Sequence, residues 1–105
     1  MLIGKVVGTV VSNRKDEKVE GFKFMLVKQV DVDLVETGGY VVAADVVGAG
    51  IGEYVLYATG SSARQTVQTD RKPIDAVIMA IIDQWEIGGV IRYHKHREAE
   101  LAEAS

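Results

Sequence analysis

The sequence predicts one small domain built mainly from β-strands, on three observations. β-branched and aromatic residues gather in short runs, the composition of pleated, half-buried segments. Eleven glycines against a single proline punctuate those runs, so the turns depend on glycine. A chain of 105 residues with 48% apolar content can fill one core and not two, since a domain of this size buries roughly two thirds of its unfolded surface.

Residues 2–12 form the first predicted strand. Ile3, Val6, Val7, Thr9, Val10 and Val11 supply the β-branched positions, and Gly4 and Gly8 leave room for a crossing backbone. Residues 13–21 are a charged surface loop. The second strand, 22–31, has two apolar faces. Phe22, Phe24, Leu26 and Val30 are assigned to the core, and Met25 and Val27, set between Lys23 and Gln29, to an outer face that needs a partner surface. A loop over 32–39 ends in Gly38 and Gly39, and strands follow at 40–47 and 53–58.

Residues 43–64 read as strand, tight glycine loop, strand and turn. Gly48, Gly50 and Gly52 stand at every second position, where positive φ or close backbone approach is available. The first two also begin a dinucleotide-type GxGxxG pattern. Its third position, however, is Glu53, whose carboxylate would repel a pyrophosphate, and a strand follows where a helix N-terminus is needed. Asp70 stands at a ribose-binding spacing that chance easily meets. Tyr54, Val55, Leu56 and Tyr57 compose a strand packed on both faces. Gly60 ends it, and Ser61 or Ser62 is expected to cap a short helical turn, 61–68, that carries Arg64. Residues 69–73 return the chain.

Residues 74–87 are ambiguous. Ile74, Val77, Ile78, Ile81, Ile82 and Trp85 keep helical spacing after Pro73, yet the β-branched content of the segment favours a doubly buried strand. Gly88 and Gly89 bend the chain, residues 90–93 can add an edge strand, and 94–105 read as a polar, helix-prone tail.

Composition narrows the function. A net charge of −3 and a pI near 5.3 argue against phosphate backbones and anionic membranes, and point to protein partners. With no cysteine, disulfides and thiolate sites are excluded, which suits a reducing cytosol. The apolar N-terminus is too short and glycine-broken for a signal sequence or membrane span, so neither export nor insertion is expected. Asp45 and Asp83, inside apolar runs, should cap turns or accept hydrogen bonds. His94 and His96 could share a strand face, but two ligands are too few for structural zinc. No metal, cofactor or catalytic group is therefore expected.

Four blocks, LIGKVVGTVVSNRK, GFKFMLVKQVD, VAADVVGAGIGEYVLYATGSSAR and PIDAVIMAIID, resemble the EutN/CcmL family of microcompartment vertex proteins, and the likeness spans about residues 1–83. The resemblance implies an all-β, OB-like five-stranded barrel over 1–93, with 94–105 as a tail, and a strand at 76–83. It further implies a cytoplasmic shell protein without enzymatic activity, a homopentamer that meets hexameric shell proteins at the vertices of a polyhedron. Gly48, Gly50, Gly52, Gly60, Ser61, Ala63 and Arg64 match recurrent family positions and read as loop-shaping or subunit-contact residues; Arg64 is assigned to a subunit contact. The rival for an OB-like barrel is oligonucleotide binding, which needs a basic groove with stacking aromatics. An acidic chain whose seven aromatics are scattered in sequence argues against it.

Overall fold

In the computed structural model, which describes residues 1–12 and 15–96, the apolar runs pair into seven strands. These are β1 (Leu2–Val10), β2 (Lys23–Val30), β3 (Glu36–Asp45), β4 (Tyr54–Thr59), β5 (Ala76–Ile81), β6 (Gln84–Ile87) and β7 (Val90–His94). The first five close into a barrel in the order β1-β2-β3-β5-β4. Every neighbouring pair is antiparallel except β3 and β5, which run parallel. The expected OB-like five-stranded barrel is present. Where one short helix was expected after β4, the chain forms a 3₁₀ turn, Gly60–Arg64, and a second 3₁₀ turn, Glu17–Val19, stands among the described residues; the helix-prone tail, beyond residue 96, lies outside them.

The third strand begins earlier than the glycines suggested. Gly38 and Gly39 lie within β3, and the Lys28 ammonium donates to the Gly38 carbonyl at 2.7 Å while lying over the Tyr40 ring at 4.6 Å. Part of the charged loop is ordered: Asp16 caps the 3₁₀ turn Glu17–Val19 by accepting from the Lys18 amide at 2.9 Å.

The faces of β2 are the reverse of the sequence assignment. Met25 and Val27 are 1% and 0% exposed and lie inside the barrel with Val6, Val55, Tyr57 and Ile78, whereas Phe24 and Leu26 lie on the outer side, half-buried. The cause is twofold. The barrel interior is narrow and takes Val27 directly opposite Val6, and a bulge between Lys28 and Val30 shifts the alternation so that Val30 is buried as well. Val30 therefore indicated the wrong face for Phe24 and Leu26. Met25 and Val27 are consequently unavailable for contact with another molecule.

Residues 74–87 resolve into two strands. Ala76 and Ile78 point into the barrel, while Val77 joins Ala44, Ala58, Ala63 and Ile74 in a second cluster under the Gly60–Arg64 turn. A strand covered on both sides has no polar face, so its apolar run passes for helical spacing. Pro73 sits at the centre of a tight turn in which the Ile74 amide donates to the Lys72 carbonyl at 2.8 Å.

β6 and β7 form a separate hairpin through Gly88 and Gly89, both with positive φ (57° and 83°). It is fastened to the barrel at its base. Trp85 stacks on Tyr93 at 4.8 Å, Tyr54 meets both rings, the Trp85 indole donates to the Val32 carbonyl at 2.9 Å, and Arg92 pairs with Asp33 at 3.2 Å. The aromatics scattered in sequence are thus partly gathered in space.

Tyr57 is fully buried and its hydroxyl has no hydrogen-bond partner among the described residues. Desolvation raises its pKa above the usual 10.0. Removing an unsatisfied buried hydroxyl relieves a desolvation penalty of about 1–3 kcal/mol, so Tyr57→Phe should be neutral or stabilising. A urea melt in which Tyr57→Phe unfolds clearly earlier than the parent would contradict this.

Candidate functional site

The loop from Asp45 to Glu53 is held by two carboxylates. Asp45 accepts from three successive amides: Val47 and Gly48 donate to Oδ1 at 3.0 Å each, and Ala49 donates to Oδ2 at 2.9 Å. This is the cap expected of Asp45. Gly48 and Gly52 take positive φ, 76° and 92°, which lets the loop reverse twice in this short span. The Gly50 amide donates to Glu53 Oε1 at 2.5 Å, and the Gly52 amide donates to the Val6 carbonyl at 2.7 Å. Ala49, 2% exposed, is drawn into the barrel core.

These bonds decide the nucleotide question. The amides of Val47, Gly48, Ala49 and Gly50 already donate to Asp45 and Glu53, so the donors a phosphate would use are occupied by carboxylates of the chain itself. The loop shapes the end of a barrel.

Glu53 also receives the Lys95 ammonium, and Lys95 N–H donates to the Asp83 carbonyl at 2.8 Å. Glu53 therefore ties the glycine loop to the exit of the C-terminal hairpin. The Lys95 hydrogen bond and then the Gly50 amide hold its pKa below the ordinary 4.5. Because the folded value is depressed, this contribution to stability is present above about pH 4.5 and is lost as pH falls through the lowered folded value. In urea melts the gap between the parent and Glu53→Gln should narrow between pH 6 and pH 3. A gap that stays constant would refute the linkage.

The turn after β4 departs from expectation at its start. Gly60, with φ of 63°, is its first residue, Thr59 occupies the N-cap without a side-chain bond, and Ser61 and Ser62 are exposed within the turn and do not cap it. The Gly60 amide instead donates to the Asp75 carbonyl at 2.8 Å. Ala63 is fully buried in the second cluster, which removes it from any contact surface. Arg64 donates to the Ile74 carbonyl at 3.3 Å and so braces the turn against the approach to β5. Thr69 escaped the sequence reading: it is fully buried, donates to the Ala63 carbonyl at 2.7 Å and shares a 2.6 Å bond with Thr66. The available signal was the pair of threonines three apart.

Asp83 is exposed, with its carbonyl rather than its carboxylate engaged. The rings of His94 and His96 lie 5.8 Å apart, and no group of three or more His, Cys, Asp or Glu gathers among the described residues. Trp85, Tyr54 and Tyr93 spend their ring faces on one another, and Tyr93 is buried. They offer no open platform for bases.

Apolar side chains are nevertheless exposed in groups. Tyr40 and Val42 stand on β3, Val10 and Val11 at the end of β1, and Ile87, Val90 and Ile91 at the end of the hairpin. Such patches on so small a domain mark contact surfaces. Fold and loop together define an OB-like barrel whose glycine loop is satisfied from within and whose outer faces present apolar surface.

The chain belongs to the EutN/carboxysome family: the family model described as "Ethanolamine utilisation protein EutN/carboxysome" matches residues 1–83. It is 43% identical to the carboxysome shell vertex protein CcmL of Gloeobacter violaceus over 95 residues, covering 90% of this chain and 95% of that one. The solved structure of that CcmL superposes with a TM-score of 0.87 over 91% of this chain and 99% of the other. The bacterial microcompartment shell vertex protein GrpN of Rhodospirillum rubrum is 44% identical over 86 residues, 82% of this chain and 97% of GrpN. Its solved structure, described as a pentameric microcompartment shell protein, gives a TM-score of 0.76 at 42% identity, covering 83% of this chain and 99% of that one. EutN of Escherichia coli is 34% identical over 95 residues, 90% of this chain and all of EutN.

Proposed function

We propose that this chain is a vertex protein of a bacterial microcompartment shell in the cytoplasm, acting as a homopentamer that fills corners between hexameric shell proteins, with a structural and not a catalytic role. The carrying observation is similarity, across nearly the whole length of each relative, to proteins named as shell vertex proteins. The physical logic agrees. Contacts between unlike patches of identical subunits close into a ring when the rotation fits, and several exposed apolar groups on one small barrel supply unlike patches. Flat hexagonal sheets close into a polyhedron only with five-sided corners.

Of the positions singled out in the sequence, Gly48, Gly50, Gly52, Gly60, Ser61 and Arg64 remain open to a ring or rim contact. Native mass spectrometry should find five copies at micromolar concentration, and Arg64→Glu reads that residue's share. Hexameric shell proteins expressed with this chain should give closed polyhedra, and without it open or elongated shells. Equally well-closed polyhedra in its absence, with no other vertex protein present, would reject the assignment.

A further inference from the structure

The hairpin is anchored at one end of the β1–β2 pair, and a groove with complementary features lies at the other. The base of the hairpin is fixed near the end of β2, through Val32 and Asp33. Its far end, turned by Gly88 and Gly89, carries Ile87, Val90 and Ile91 at 42%, 59% and 39% exposure. Ile87 and Val90 are cross-strand partners, and the exposed Glu86 pairs with Ile91. A two-stranded hairpin with an apolar tip is marginal on its own in water and gains stability by packing on something.

At the opposite end of the β1–β2 pair, where Val10 stands opposite Phe24, a depression of 310 Å³ is lined by Val10, Val11, Phe22 and Phe24 together with Lys15 and Lys23. Charge sets it apart from the other depressions described. One near the second cluster contains Glu20 and Asp45, one contains Asp70 together with Arg64, and one lined by Met1, Ala58 and Met79 has no charged side chain to meet Glu86. Glu86 would be repelled by the first of these and drawn to Lys15 or Lys23. The outer apolar face of β2 also continues from Phe24 through Leu26 to its cross-strand partner Val42.

We infer that the β6–β7 hairpin of one copy seats its Ile87–Val90 tip in the Val10–Phe24 groove of the next copy, with Glu86 against Lys15 or Lys23. This rests on the ring reading above and names the contact that makes the ring. The arm is anchored at the end of the strand pair opposite the groove, and a contact between these two unlike surfaces is heterologous, the kind that propagates around a ring.

The absence of cysteine in the chain makes the test direct. Val11 is 91% exposed and Val90 59% exposed, so Val11→Cys and Val90→Cys leave the core untouched. A mild oxidant that takes two thiols to one disulfide is added to each single variant and to the double variant. The double variant should give a covalent series up to five subunits on a non-reducing denaturing gel, collapsed by dithiothreitol, and the singles should give no such series. A double variant that stays monomeric, or closes only within one chain, while native mass spectrometry still finds five copies, overturns this contact and leaves the ring reading standing. A parent chain that is itself monomeric at micromolar concentration overturns both.

Discussion

Gly4→Ala should destabilise the subunit by about 1–3 kcal/mol, the usual range for forcing a methyl group into a packed core. A Cβ at Gly4 would lie 2.5 Å from Val27 Cγ1, 2.8 Å from Tyr57 Cε1 and 3.2 Å from the Lys28 carbonyl oxygen. All three neighbours belong to strands on either side of β1, and Val27 and Tyr57 are fully buried, so none can retreat without moving its own contacts. The matched control is Gly8→Ala on the same strand, where the nearest atom to the new Cβ is Leu26 Cβ at 3.9 Å. There the lower backbone freedom of the unfolded chain should dominate, for a gain of up to about 1 kcal/mol. Urea midpoints for the two variants should move in opposite directions. Equal shifts would mean that β1 adjusts to the intruding methyl.

Asp45→Ala should cost about 2–3 kcal/mol. One carboxylate satisfies three amides of the glycine loop, and hydrogen bonds to a charged acceptor are each worth roughly 1.5–3 kcal/mol. Water replaces the acceptor for Val47 and Gly48, which are exposed, but less readily for Ala49, which is buried. The total is therefore well below three full bonds. Asp45→Asn keeps one oxygen and should fall between the parent and the alanine variant. Hydrogen exchange resolved by residue gives the sharper readout: the amides of residues 47–49 should lose protection together in Asp45→Ala. Unchanged protection there would show that the glycines alone set the loop.

The strands were legible because their composition is local. Ile3, Val6, Val7 and Thr9 mark β1 without reference to anything distant, and Asp45 between an apolar run and three glycines marks a cap. What was not legible depended on distant partners. Whether Met25 or Phe24 faces inward is decided by Val6 and Gly4 across the ladder and by the register shift against β3, where Lys28 faces Tyr40 and Val30 faces Glu36; both depend on residues outside β2. Residues 74–87 stay ambiguous between helix and strand until the family resemblance is added, because the second layer, Ala63 with Ile74, hides the side of β5 that would otherwise be polar. Glu53 was read as a bar to phosphate, which it is, but its bond to Lys95 joins residues 42 apart in the chain, a distance no local pattern spans. The cap of the Gly60 turn was misplaced because its first amide is met by the Asp75 carbonyl and not by a serine.

The position of β5 between β3 and β4 sets an order on biosynthesis. Until residues 76–81 are made, the chain can pair β4, β1, β2 and β3 only as an open sheet with two free edges, the arrangement that invites edge-to-edge association. Closure then brings Ala44 beside Val77 across a long stretch of chain, an encounter of high contact order and correspondingly slow. The strand made last of the five is the one that removes both edges together, so the nascent subunit is most exposed to its neighbours on a polysome just before it becomes a barrel.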